Sequence, residues 1–181
     1  MKHVAVFIDR DGTLIRDVGY LSRLQEIEVL PRVAEGLALL RARGFKIVLV
    51  TNQSGVGRGF LTEEELHRIH DELQRRVGVF DGVYYCPHHP AAAIGVYRIA
   101  CDCRKPAGGM VERASRDLNL DLKASYVIGD QMSDMQMARG VGAKGVFLGR
   151  SEAGSGGADF ATVQKGFYEA VQWILEDSHA G

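Results

Sequence analysis

The chain reads as an α/β protein, a Rossmann-like three-layer α/β/α sandwich around a mostly parallel sheet. Three observations predict it. Short apolar runs recur through the 181 residues, helical patterns separate them, and the runs are continuously apolar rather than alternating with polar residues. A strand apolar on both faces must be covered on both, and helix-linked strands of that kind pair in parallel.

The elements follow in order. Val4-Ala5-Val6-Phe7-Ile8 is the first strand, rich in β-branched and apolar side chains. A helix over 32–43 follows Pro31 and stops at Gly44, the residue types that start and end helices. Lys46-Ile47-Val48-Leu49-Val50 is the second strand. Thr62 opens the next helix, and Glu65, three residues on, completes a capping box. Val83-Tyr84-Tyr85, Tyr126-Val127-Ile128 and Gly145-Val146-Phe147-Leu148 supply three more strands, with helices over 109–118 and 133–139 between them. The glycine-rich stretch from Gly149 to Gly157 reads as a surface connector before a last strand and helix. Residues 163–176 form that final amphipathic helix, with Val171, Ile174 and Leu175 on its buried stripe.

Composition bounds the function. Apolar content of 46% and charged content of 25% are ordinary for a globular chain long enough to bury a core, and a single domain over 1–181 is expected. A net charge of −1 gives no global field to recruit nucleic acid or an anionic membrane. No apolar run reaches the length of a membrane span, and the one before Asp9 is too short for a secretory signal. A cytoplasmic monomer acting on a small molecule, with no nucleic-acid or membrane partner, is the expectation.

The chemistry sits where strands end, the edge at which open α/β sheets bind ligands. Asp9-Arg10-Asp11-Gly12-Thr13 follows the first strand directly. Extended backbone turns residues i and i+2 the same way, so Asp9 and Asp11 face one point. Like charges that close call for a cation or a proton-transfer role. Taken alone, Asp11-Gly12 is equally well a hairpin turn. The second strand runs into Thr51-Asn52-Gln53-Ser54-Gly55-Val56-Gly57-Arg58-Gly59, whose hydroxyls, amides and N–H groups can converge on an anion, or form a plain polar loop. Arg104-Lys105-Pro106 offers a point charge and a bidentate cation, or a solvated surface pair. Gly129-Asp130-Gln131-Met132-Ser133-Asp134 sets Asp130 at a strand-to-helix junction, where an N-cap is the ordinary use of Asp. Together the set is acid-x-acid, hydroxyl, lysine and acid in chain order, which is what phosphoryl transfer through a carboxylate needs.

All three cysteines lie between residues 86 and 103, an odd number that argues for a metal site over disulfides. Cys86-Pro87-His88 and Cys101-Asp102-Cys103 are two i, i+2 pairs, each facing one point, so the intervening loop can close a tetrahedral Cys₃His zinc site. His89 is the alternative imidazole but lies on the side away from Cys86. Four protein ligands leave no open position, so this Zn²⁺ is expected to be structural and to fix the loop that carries Arg104 and Lys105.

The segments D-R-D-G-T, V-T-N-Q-S-G, R-K-P and G-D-Q-M-S-D, in this order over residues 4–150, resemble the haloacid dehalogenase superfamily of phosphatases. Within it, D-V-G-Y, T-N-Q-S-G-V-G-R-G, Y-Y-C-P-H-H-P and C-D-C-R-K-P are similar to small sugar-bisphosphate phosphatases and the related histidinol-phosphate phosphatases. The resemblance agrees with the residues on Asp9 as nucleophile and implies Asp11 as general acid and then base. It implies Mg²⁺ held by Asp9, the backbone carbonyl of Asp11 and Asp130, with Thr51 and Lys105 on the transferring phosphoryl group. Asn52, Gln53 and Ser54 are implied as further substrate contacts, Asp17, Gly19 and Tyr20 as sugar partners, and Arg104 as a contact for a second phosphate. A plain turn accounts for 17–20 equally well. Gln131 stands where such proteins often carry Lys or Arg, which removes a charge from that contact. Asp134 is either a water-bridged metal contact or an orienter of Lys105. Stretches 14–45 and 55–104 are the only room for insertions, so no large cap domain is expected.

Overall fold

The protein is described here from a computed structural model covering residues 2–149 and 160–179. Six strands, β1 (Ala5–Ile8), β2 (Lys46–Asn52), β3 (Gly82–Cys86), β4 (Tyr126–Gly129), β5 (Lys144–Leu148) and β6 (Thr162–Gln164), form one sheet in the order β3-β2-β1-β4-β5-β6. Every pairing is parallel. The order reverses direction around β1, which creates a switch point with β2 on one side and β4 on the other.

The helices are α1 (Val33–Ala42), α2 (Ser54–Gly57), α3 (Glu63–Val77), α4 (Gly109–Leu118), α5 (Met132–Val141) and α6 (Phe167–Asp177). Strand alternation divides the core in two. Val6, Ile8, Ile47, Leu49 and Ile128 pack with Leu37 and Leu40 of α1, Leu66, Ile69 and Leu73 of α3, and Val171 and Ile174 of α6. Ala5, Phe7, Val48, Val50 and Val127 face the other way, onto Met110, Val111 and Ala114 of α4 and Met135 and Ala138 of α5. This is the predicted three-layer arrangement. No large cap domain is inserted among the described residues, in line with the expectation: short 3₁₀ turns at Leu24–Glu26 and Gly95–Tyr97 lie in the two long connections.

The capping box of α3 forms as expected, with Glu65 N–H donating to Thr62 Oγ1 at 3.1 Å and Thr62 N–H to Glu65 Oε2 at 2.7 Å. The final helix needs correction. Residues 162–164 are an edge strand paired to β5, and α6 starts only at Phe167, because Gly166 is extended (φ −162°, ψ 174°) and breaks the run. Phe167, Ala170, Val171 and Ile174 are its buried residues, with Leu175 only partly covered. Most of the expected connector, residues 150–157, lies outside the described residues. No helix among the described residues is long and apolar enough to cross a membrane.

Candidate active site and metal centre

The carboxyl ends of β1, β2 and β4 converge on a cleft of about 330 Å³ lined by Asp9, Asp11, Asp17, Gly19, Thr51, Asn52, Lys105, Gln131 and Ser133. Asp9 continues β1, its N–H still donating to Ile128 O of β4 at 3.0 Å, so its side chain is aimed by the sheet itself. Lys105 reaches the same point from the loop before α4. Its Nζ lies 2.8 Å from Asp9 Oδ1 and 2.6 Å from Asp134 Oδ1, and donates to Val50 O at 3.1 Å. Burial works against this ammonium, but the carboxylates of Asp9 and Asp134 outweigh it and hold its pKa above the usual lysine value. Asn52 pins the lysine's backbone to the end of β2, accepting from Lys105 N–H at 3.0 Å and donating to Lys105 O at 3.3 Å.

Donor oxygens of Asp9, Asp130 and Asp134 lie within 4.8 Å of one another. Their roles divide by what each already satisfies. Asp134 is fully buried, with Oδ1 on Lys105 and Oδ2 accepting from Gln131 N–H at 3.2 Å. Burial raises its pKa to about 6. Asp130 Oδ1, in contrast, is buried with no hydrogen-bond partner among the described residues. Such an oxygen is costly unless a cation takes it, so Asp9 and Asp130 fit a hard divalent ion as its protein ligands. Gly12 keeps the place clear: at φ +76° it is left-handed, and a Cβ there would sit 2.1 Å from Asp130 Oδ2. Burial, then the Asp9 charge, raise the Asp130 pKa.

Asp11 is held from behind. Arg10 Nε donates to its Oδ1 at 3.1 Å and Nη2 to both oxygens at 3.0 Å, while Gln53 Nε2 donates to Oδ2 at 2.9 Å. Gln53 Nε2 also donates to Thr51 Oγ1 at 2.9 Å. Burial raises the Asp11 pKa, Arg10 opposes it, and the Asp9 charge adds to the rise. A carboxyl with a raised pKa suits a proton donor.

Several expected contacts point elsewhere. Tyr20 is exposed and packs its ring on Phe60, centroids 4.6 Å apart, outside the cleft lining. Arg104 is turned toward the cysteine-rich loop, donating to His88 O at 3.2 Å. Gln53 is buried behind the cleft, and Ser54 starts the short α2. Asp17 and Gly19 do line the cleft and also make a turn, with Gly19 N–H donating to Asp17 Oδ1 at 2.7 Å. Gln131 lines the cleft and donates to Asp130 Oδ2 at 3.1 Å. Arg10, Ser133 and the Gly12–Asp130 approach were not anticipated. Strict alternation after Asp9 was the available signal, since it turns Arg10 toward the interior.

The second cluster joins Cys86, His88, Cys101 and Cys103, whose donor atoms lie within 4.8 Å of one another. Cys86 Sγ is 3.6 Å from Cys101 Sγ and 3.0 Å from Cys103 Sγ, and His88 Nδ1 is 3.2 Å from Cys103 Sγ. Three soft sulfurs and one imidazole facing one point fit tetrahedral zinc. His89 is directed away: its Nδ1 accepts from Ala91 N–H at 3.0 Å, and its Nε2 lies 3.2 Å from Arg58 Nη2.

An acid-x-acid strand end, a buried lysine and a third acid at the carboxyl edge of a parallel sheet define a haloacid dehalogenase-like phosphatase, and the HAD-hydrolase-like family model matches residues 102–164. The chain is 41% identical over 156 residues to D-glycero-beta-D-manno-heptose-1,7-bisphosphate 7-phosphatase from Haemophilus ducreyi, covering 83% of this chain and 85% of that one. It is 44% identical over 138 residues to the protein of that name from Photorhabdus laumondii, covering 74% and 73%. The crystal structure of D,D-heptose 1,7-bisphosphate phosphatase from B. bronchiseptica, complexed with magnesium and phosphate, superposes with a TM-score of 0.81 at 28% identity over 98% of this chain and 99% of that one. The chain belongs to the D-glycero-beta-D-manno-heptose-1,7-bisphosphate 7-phosphatase family.

Proposed function

We propose that this chain removes the C7 phosphate of D-glycero-D-manno-heptose 1,7-bisphosphate, the β anomer by analogy with its relatives' names, in supply of the heptose precursor of lipopolysaccharide core. The observation that carries the chemistry is the meeting of Asp9, Asp11 and Lys105 in one cleft, with an Asp130 donor oxygen within 4.8 Å of that of Asp9. Family membership carries the substrate.

An Asp9 carboxylate oxygen attacks phosphorus, and the bond from phosphorus to the C7 oxygen breaks with its electron pair on the departing oxygen. That oxygen takes the Asp11 proton. Water then attacks the aspartyl-phosphate, gives its proton to Asp11, and inorganic phosphate leaves as Asp9 is regenerated. Lys105 and Thr51 stabilise charge on the phosphoryl oxygens through both steps. Asp134 orients Lys105 rather than meeting a metal, since both of its oxygens are engaged. Asp9 and Asp130 would hold Mg²⁺, with the Asp11 carbonyl as the expected third donor. The cation, when bound, offsets repulsion between anionic nucleophile and anionic substrate. Cys86, His88, Cys101 and Cys103 would hold a structural Zn²⁺.

The test compares kcat/KM for the two heptose bisphosphate anomers, histidinol phosphate and fructose 1,6-bisphosphate. The β-heptose bisphosphate should lead by at least about tenfold. Faster turnover of histidinol phosphate overturns the substrate and leaves the phosphatase chemistry standing.

A further inference from the structure

Arg10 separates the two acids of the first strand end, yet its side chain is 1% exposed and is among the largest fully buried side chains of the protein. Alternation explains the direction: with Asp9 and Asp11 toward the cleft, Arg10 turns to the α3 side. A buried guanidinium is costly unless its donors are matched. Arg10 meets that demand with the functional residues themselves: three bonds to Asp11, one from Nη2 to Gln53 Oε1 at 3.0 Å, and a contact from Nη1 to His70 Nε2 at 3.4 Å.

His70 is also buried, on α3 beside Leu66, Ile69 and Leu73. Its Nδ1 has no partner, so the Arg10 contact is its single polar contact among the described residues. Because Arg10 can only donate, His70 Nε2 accepts and the ring is neutral, in keeping with a pKa lowered to about 3 by burial and by the Arg10 charge. A space-filling role at these positions calls for leucine or methionine, not a cation and an imidazole that each carry a desolvation cost.

We propose that Arg10, backed by His70, is a positioning residue for Asp11, forming with Gln53 a buried clamp that fixes the carboxyl protonating the leaving sugar oxygen. The proposal rests on the acid–base reading of Asp11 given above. Four hydrogen bonds onto one carboxylate remove its rotational freedom, and Gln53 extends the constraint to Thr51. Lysine at position 10 keeps the charge but loses the planar bidentate fork.

The leaving group separates positioning from general structural damage. An alkoxide leaves only with a proton from Asp11, whereas p-nitrophenolate leaves without one. Arg10→Lys should lower kcat/KM about 100-fold for the best alkyl phosphomonoester of the wild type, yet less than about threefold for p-nitrophenyl phosphate. Asp11→Asn is the reference and should share that selectivity. Equal losses on both esters for Arg10→Lys, or no loss, overturn the clamp while Asp11→Asn stays selective. An unselective Asp11→Asn overturns the acid–base reading itself and removes the clamp's purpose. Should Arg10→Lys fail to fold by circular dichroism, His70→Leu decides: an alkyl-selective loss of about tenfold, mostly restored in His70→Gln, supports the clamp, and an unselective or absent loss refutes it.

Discussion

Lys105→Met tests the electrostatic centre of the site most directly. Lys105 is 5% exposed and its ammonium lies 2.6 Å and 2.8 Å from the carboxylates of Asp134 and Asp9, so its removal strands two buried negative charges. Breaking a buried pair in this way costs about 3–5 kcal/mol, because the remaining charge loses its only compensation. For a chain of this size that is a fall in Tm of roughly 10 °C. The loss should depend on pH with a definite sign. Asp134 already has a folded pKa raised to about 6 by burial, and losing Lys105 raises it further. A raised folded pKa favours the folded state when the group is protonated, so the Asp134 share of the penalty is full above its new, higher pKa, shrinks as pH falls toward 6 and is gone below that. Adding Asp134→Asn removes one stranded charge, keeps the shape, and should restore about 2 kcal/mol without restoring turnover. Urea denaturation at pH 8 and pH 5, in magnesium-free buffer with zinc retained, measures all three proteins. A cost below about 1 kcal/mol for Lys105→Met at pH 8, or no recovery in the double variant, refutes the buried-pair account.

Gly12→Ala forces a left-handed alanine, worth about 1–2 kcal/mol, and drives its Cβ onto Asp130; Mg²⁺ affinity by calorimetry should fall at least about tenfold, and an unchanged affinity removes Asp130 from the metal cradle. Stripping zinc should lower Tm and raise KM, because Cys103 precedes Arg104 and Lys105 directly, while the two Asn52 bonds to the Lys105 backbone preserve part of kcat; unchanged Tm and KM after verified zinc loss would contradict this linkage. His70 has a folded pKa of about 3 against about 6.5 unfolded, facing the charges of Arg10 and His67. Its contribution is therefore complete above pH 6.5 and lost on acidification, by about 2 kcal/mol at pH 5, and the wild-type minus His70→Gln stability difference should show that slope.

How much could be read from the chain depended on whether the needed geometry was local. Asp9, Thr51 and Asp130 were legible because each stands at the end of an apolar run, and parallel sheets bring such ends together; Lys105, on a loop, was legible only from its place in the motif order. The clustering of Cys86, His88, Cys101 and Cys103 was legible because two i, i+2 pairs carry their own geometry. Tyr20 and Arg104 were not, since the Tyr20 ring is claimed by Phe60, forty residues on, and Arg104 by the His88 carbonyl; nothing local predicts either contact. The last strand, β6, was expected but not placed, for the same reason. Its three residues are held by pairing to β5, while their composition continues smoothly toward the helix. Arg10 was the instructive omission. A charge between two acids looks like one more solvated side chain until α3 is known to cover it.

The two buried cations explain why the site is built in depth. Asp9, Asp11, Asp130 and Asp134 would bring four negative charges, against one each on Arg10 and Lys105, which leaves about two uncompensated. Neither cation faces the cleft alone: Arg10 is spent on Asp11 and Lys105 is shared between Asp9 and Asp134. The residual charge shows in the pKa values of Asp11, Asp130 and Asp134, each raised by burial first and by Asp9 in addition. A cleft of that sign repels a phosphate dianion, so the chain's own residues do not complete the site. A divalent cation matches the deficit in magnitude, and the unpartnered Asp130 Oδ1 marks where the deficit is concentrated. The nucleophile is thereby aimed by Lys105, while reaction with an anion waits on the ion that removes the repulsion.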